Sequence, residues 1–328
     1  MNRPKTWLLL SILAAWFISR FQGAINPYYY DILITIGINI ILGVSLNLVT
    51  GYTGQFSLGH AGFMSVGAYA SAMVTLSVGA HARGENLFFI GALLVGGLCA
   101  ALAGLLVGGP SLRLKGDYLA IVTLGFAEII RVVFENVEAV GAARGLSIPV
   151  HTTDFFWTFL SVALTIYIVV FLVHSTYGRG FLTVRDDEVA AEAMGINTTK
   201  YKVLAFVVAA FLAGIAGGLY AHFKQFIHPE GFGYLRSVDI VVIVILGGMG
   251  NTPGVIIAAV LLTILPEGLR ALGSWSALPE AIRPLIQNRM ILYSLLLIVL
   301  MLLRPQGLFS TGGRLTKWLK RKKEEPAV

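Results

Sequence analysis

Charge is scarce in this chain. Only 12% of its 328 residues are Asp, Glu, Lys or Arg, against about a quarter in a soluble domain. With 56% hydrophobic residues, that shortage excludes an ordinary water-soluble globule. Cysteine is almost absent. Cys99 stands alone in an apolar run, so no disulfide forms within the chain and the residue reads as a small packing group. No Gly-Lys dipeptide occurs, which excludes a phosphate-cradling P-loop. The HExxH and GxSxG patterns are missing too, and no paired acidic cluster suits a metal-dependent transferase. The expectation is a chain without catalytic, metal or cofactor site. A process driven by ATP and Mg would need another chain to bind them.

What is present is a series of long apolar runs. About 20 such residues cross a bilayer as a helix, which satisfies its own backbone. The runs are continuous rather than alternating, which excludes a β-barrel. The expected fold is an all-α polytopic bundle of about ten transmembrane helices, a single membrane domain over 1–328. Spans are expected near 7–24, 30–50, 57–79, 87–108, 118–136, 156–174, 203–222, 236–248, 253–266 and 288–303. The first has a basic start and an apolar core like a signal peptide. Arg20 interrupts it instead of a cleavage pattern, so it reads as a retained span. The region 238–265 is either one long span or two short ones folded at 247–254. Parity favours two, one of them partly re-entrant.

The net charge is +7, and its placement sets the topology. Arg3 and Lys5 lie at the start, Arg113 and Lys115 in the loop after the fourth span, and Arg304, Arg314, Lys317, Lys320, Arg321, Lys322 and Lys323 in the tail 304–328. The positive-inside rule puts all three in the cytoplasm and the 138–155 loop outside. The tail suits a topology anchor beside anionic membrane lipid and no nucleic-acid partner.

Two glycine-rich breaks interrupt the apolar runs. One, 51–62, holds Gly51, Gly54, Gln55, Ser57, Gly59 and His60. The other, 247–254, holds Gly247, Gly248 and Gly250. Unwound backbone at membrane depth survives only where protein buries it or a polar cavity opens, and broken helices mark substrate sites in several transporters. Each glycine alone fits helix packing equally well; the added Gln55, Ser57 and His60 favour a translocation pathway. Glu128 stands roughly 15 Å along a helix from Tyr118 at 1.5 Å per residue, where an unpaired carboxylate is expensive. Arg131, three residues on, can pair with it, and Thr123 can share its face. A gate element and a structural ion pair are both open readings.

The segment 178–202 is a charged island between the sixth and seventh spans, with Arg179, Arg185, Asp186, Asp187, Glu188, Glu192, Lys200 and Lys202. The topology count puts it inside. Asp186, Asp187 and Glu188 suit a helix start, Gly195 a stop, and Asn197 or Thr198 a cap for the next helix. A helix over 187–194 has only two turns and needs packing, on its own protein or a partner. Val189, Ala193 and Ile196 form one stripe. Ala190 and Ala191 are small enough for another surface to approach, and Glu192 lies beside the stripe.

Five stretches carry a resemblance: GYTGQFSLGHAGF at 51–63, LRLKGDYLAIVTLGFAEIIR at 112–131, RDDEVAAEAMGIN at 185–197, LGGMGNTPG at 246–254 and RPQGL at 304–308. In this order they resemble the M-type permeases of bacterial ABC importers for branched-chain amino acids, over nearly the whole chain. The resemblance implies a single permease domain in the bacterial inner membrane, with both termini cytoplasmic. It implies a second homologous permease, two cytoplasmic ATP-binding subunits and a periplasmic or extracellular solute-binding protein as partners. It makes Arg185, Asp186, Asp187, Glu188, Ala190, Ala191, Glu192 and Gly195 the ATPase-coupling segment. Two departures stand out. Gly195 would put the family's loop glutamate at Val189, and the loop 140–146 lacks the usual glycine- and asparagine-rich character. Urea, amides or other amino acids are alternative solutes. An ion-coupled carrier or channel, with Glu128 carrying a proton, is the alternative mechanism.

Overall fold

Asn26 starts the described part of the fold by accepting a hydrogen bond from the Tyr28 N–H, with Pro27 in the first turn. Both are helix-start signals. The computed structural model describes residues 26–77, 86–111 and 117–273, with isolated positions at 19, 294, 295, 298, 299, 302, 307 and 308. The expected spans 7–24 and 288–303, the 112–116 loop and most of the basic tail lie outside the described residues.

Helix α1, Pro27–Asn47, widens without interruption into a π-turn, Leu48–Tyr52. Residues 53–59 are non-helical, and α2 begins at His60 and ends at Ser77. Then come α3 (Asn86–Ser111) and α4 (Asp117–Asn136). Two 3-10 turns, Glu138–Val140 and Ala142–Arg144, follow. Strand β1, Leu146–Ser147, pairs antiparallel with β2, Phe226–Ile227, with Leu146 opposite Ile227. Helix α5 is Phe155–His174, α6 Thr176–Asp186, α7 Glu188–Ala193 and α8 Thr198–Lys224. After a 3-10 turn, Pro229–Phe232, come α9, Tyr234–Gly247, and α10, Thr252–Gly273.

Helices therefore stand at every expected span that falls among the described residues. Five of them are long and apolar enough to cross a membrane: Pro27–Tyr52, Asn86–Ser111, Phe155–His174, Thr198–Lys224 and Thr252–Arg270. The region 238–265 is two elements, broken where Gly248 and Gly250 take φ of +93° and +79°, values that glycine adopts at little cost. Helix α8 starts at Thr198, where the cap was expected: Asn197 accepts from the Lys200 N–H. Helix α6 covers a part of the island to which the sequence reading assigned no element. Its Gly178 and Gly180 are poor helix formers and mask the signal. Burial of Phe181 and Val184 holds the helix in place.

Helix α8 is the spine. Its small residues let α2 and α3 approach closely. A Cβ on Gly67 would lie 2.2 Å from Gly214 Cα, and one on Gly217 1.9 Å from Met64 O. Within lipid no hydrophobic force drives helices together, so such close packing carries the association. The histidine caught there is satisfied internally. His222 stands 2.8 Å from the Gly218 carbonyl and 2.7 Å from the Thr75 hydroxyl.

The bundle has two ends. At one, Lys224 pairs with Asp31 at 2.6 Å and the β-ribbon and 3-10 turns collect; this is the loop end. At the other lie α6, α7 and the start of α8; this is the island end.

Candidate functional site

Both glycine-rich breaks reach the island end and meet there. The π-turn carries α1 to Gly51, and the turn after α9 carries Gly250 against it. The Asn47 side-chain oxygen accepts the Gly250 N–H at 2.9 Å. The fit is close: a Cβ on Gly51 would lie 2.1 Å from Asn47 Oδ1 and 2.2 Å from Gly250 N. Gly247 is pressed against the start of α10, its absent Cβ 2.5 Å from Val255 Cα. Gly248 lies against Gly307, whose own Cβ would fall 2.7 Å from Gly248 Cα. The next residue, Leu308, donates its N–H to Leu246 O at 2.8 Å.

Arg185, the last-turn base of α6, joins this junction from the island. Its Nη1 lies 3.5 Å from Gly51 O. Its Cγ is 3.0 Å from the Cβ position of Gly54, which has φ +70°, and its Nη1 3.3 Å from that of Gly250. Nε and Nη2 hold Asp186 at 3.1 and 3.0 Å. The sequence placed Arg185 with a docking surface and Gly51, Gly54 and Gly250 with a pathway. The structure brings all four into one contact.

From the junction, residues 53–59 run non-helically into the bundle. Gln55 and Ser57 are buried. The segment is pinned to α4, where the Leu58 N–H donates to Thr123 Oγ1 at 3.1 Å and a Cβ on Gly59 would lie 2.7 Å from Thr123 O. His60 opens α2 with Nε2 2.8 Å from Ser45 Oγ. Ser45 donates its own hydroxyl proton to Leu42 O at 3.0 Å, so the imidazole Nε2 carries the hydrogen that Ser45 accepts. The Ala61 N–H donates to Ser237 Oγ of α9 at 3.2 Å. The Asn47 side-chain nitrogen, the Thr50 hydroxyl and both polar atoms of Gln55 are buried without a hydrogen-bond partner. An unmet buried polar group costs about 1–3 kcal/mol.

Glu128 does two things. It holds Arg131 Nε at 2.7 Å, and it accepts the Tyr234 N–H at 3.1 Å. A carboxylate thus caps the first turn of α9, where the helix dipole favours negative charge. Arg131 also pairs with Glu135.

The island is built from internal ties. Asp187 caps α7, its Oδ1 accepting from the Val189 and Ala190 N–H groups at 2.9 and 3.0 Å. Gly195 ends the helix with φ +80°. Ala191 is buried against the bundle. Lys202, almost wholly buried, pairs with Glu188 at 2.7 Å. Thr198 donates its hydroxyl to Glu192 at 2.8 Å. Both glutamates therefore fasten α7 to α8. The outward face is Val189, Ala190, Ala193 and Met194, with Val189 68% and Met194 81% exposed. Asp186 and Asp187 are exposed beside it.

Sequence reasoning gave Gly307 and Leu308 no site role beyond the RPQGL stretch, and it passed over Asn47, Arg236 and Asp239. The last two were legible as charges inside the span at 236–248. The others gave no periodic signal.

Residues 28–303 match the family described as branched-chain amino acid transport system / permease component. The high-affinity branched-chain amino acid transport system permease protein LivM of Salmonella typhimurium is 35% identical over 234 residues, 61% of this chain and 52% of that protein. LivM of Escherichia coli gives the same identity and coverage. The permease protein LivH of Salmonella typhimurium is 30% identical over 179 residues, 53% of each chain. The chain thus spans about half the length of the LivM relatives it matches. PsaBC from Streptococcus pneumoniae in complex with Fab is similar at 18% identity and a TM-score of 0.45, over 94% of this chain and 99% of that one. With a match that runs through all the described helices, this chain belongs to the family of branched-chain amino acid transport system permease components.

Proposed function

We propose that this chain is the membrane-spanning permease subunit of an ATP-driven importer for branched-chain or other hydrophobic amino acids. Its place is the bacterial inner membrane, crossed many times, with both termini and the island in the cytoplasm. A second homologous permease pairs with it in the bilayer. Two cytoplasmic ATP-binding subunits carry ATP and Mg, and a solute-binding protein delivers the amino acid outside. This chain holds no cofactor itself.

The observation that carries the reading is the island helix α7. Its glutamates are tied to α8 and Ala191 is buried against the bundle, yet Val189, Ala193 and Met194 are left exposed. Six residues of helix are too few to stand alone in water, and here they are clamped to the bundle. A rigid, apolar, outward knob is what a soluble motor needs to grip. As the ATPases close, α7 and α6 move together. Arg185 passes that movement to Gly51 and Gly250, and so to α1, α9 and α10. The two arrangements of the bundle are then outward- and inward-open states. The motor shifts their balance only by binding one better than the other. The buried, unpartnered Asn47, Thr50 and Gln55 beside the non-helical segment support a polar path through the bundle.

The test is docking. Val189→Asp with Met194→Asp should abolish co-purification of the ATP-binding subunits while the thermal midpoint of the permease stays unchanged. Retention of those subunits by the double variant would overturn the assignment of α7.

A further inference from the structure

We propose that Arg236 and Asp239 of α9 form a site at the middle of the bilayer that takes the zwitterionic head of the transported amino acid. The ammonium group would meet Asp239 and the carboxylate Arg236. The proposal rests on the amino-acid permease reading above.

Depth comes first. The Arg236 Nη2 donates to Asn39 Oδ1 at 2.8 Å. The Asn39 Nδ2 donates to Thr263 Oγ1 at 2.8 Å, and that hydroxyl donates to Ala259 O at 2.7 Å. Asn39 stands midway along the span Pro27–Tyr52, and Thr263 midway along Thr252–Gly273. Two antiparallel helices thus place the guanidinium at mid-membrane independently. Helix α9 starts near that depth because it is short. Its 14 residues extend about 21 Å, less than the bilayer core of about 30 Å.

Chemistry comes second. Asp239, one turn beyond Arg236, is exposed, and among the described residues no hydrogen bond reaches its carboxylate. Hydrocarbon is a poor neighbour for that group. Ionisable side chains at this depth face a water-filled cavity or a polar partner. The rest of the stripe is apolar: Leu235, four residues before Asp239, is 75% exposed, and Val242, three after, is partly exposed. One face of α9 therefore offers a carboxylate with an apolar surface on both sides, beside a guanidinium fixed by Asn39. The planar fork of arginine suits a carboxylate. Arg236 and Asp239 already act on each other's charge one turn apart, so a zwitterionic head entering between them would meet an opposite charge at each end. Alternating head and side-chain contacts fit an amino acid with a branched apolar side chain. Transport needs such a site to be open to water on each side in turn.

The test uses the whole assembly in membrane vesicles with Cys99→Ser as background. In Leu235→Cys, which keeps both Arg236 and Asp239 and lies on the exposed stripe beside them, a positively charged, membrane-impermeant methanethiosulfonate should modify the thiol. Leucine in excess should slow that modification several-fold. Asp239→Asn should lose leucine uptake while the subunits remain assembled, and Asp239→Glu should keep part of it. A thiol out of reach of the reagent, modification indifferent to leucine, or normal uptake by Asp239→Asn would each overturn the site. Failure of the permease reading looks different: the unsubstituted assembly would then show no ATP-driven leucine uptake at all.

Discussion

Gly51 is the residue on which the island-end junction closes. Alanine there would put a methyl group 2.1 Å from Asn47 Oδ1 and 2.2 Å from Gly250 N. The backbone must then shift and the Asn47–Gly250 hydrogen bond break. Overpacking of this kind costs about 1–3 kcal/mol. Gly51→Ala should therefore lower the thermal midpoint of the detergent-solubilised chain clearly. Gly125→Ala is the control, since nothing lies within 4 Å of a Cβ there, and it should leave the midpoint unchanged. Asp187→Ala removes the acceptor for two N–H groups, worth about 1 kcal/mol at a helix cap. Hydrogen exchange should then speed up at Val189 and Ala190, with no change in α8. Cap residues were legible in the sequence because capping is local: an aspartate before an alanine-rich run, and a glycine after it. Asn47 was not, since its partner Gly250 is 203 positions away and no spacing rule connects them.

The island helices show how an element can be found while the roles of its residues are not. The two-turn helix and its stop at Gly195 follow from local signals. The direction of Glu188 and Glu192 does not. Both turn inward, to Lys202 and Thr198, residues of the next helix. Glu192→Lys should thus act on the protein itself as well as on a partner. It removes the acceptor for Thr198 and brings a cation to the buried Lys202, so the thermal midpoint should fall and ATPase retention should fall with it. Val189→Asp touches only the outer face and should spare the midpoint. Helix α6 escaped notice because GRG hides its start. It nevertheless carries Arg185 to the junction. In Arg185→Ala, the ATP-binding subunits should still co-purify and hydrolyse ATP, but leucine moved per ATP should drop several-fold. An unchanged ratio would remove Arg185 from the transmission path.

At the scale of the molecule, the apolar runs read out the helices well. Hydrophobic length is dictated by the bilayer, so each described span lies where its run of residues puts it. The way the spans pack is less legible, because it depends on close backbone contacts such as Gly67 with Gly214. The two breaks looked like pieces of a pathway through the membrane. They converge at the island end, Gly51 against Gly250. The central claim is that the power for transport enters through α7 from separate ATP-binding subunits. Its most direct test is leucine uptake into proteoliposomes holding the purified permeases, with and without those subunits, ATP and an imposed ion gradient. The account predicts uptake only when the ATP-binding subunits and ATP are both present, and none from an ion gradient alone. Accumulation of leucine driven by an ion gradient in vesicles lacking the ATP-binding subunits would contradict it.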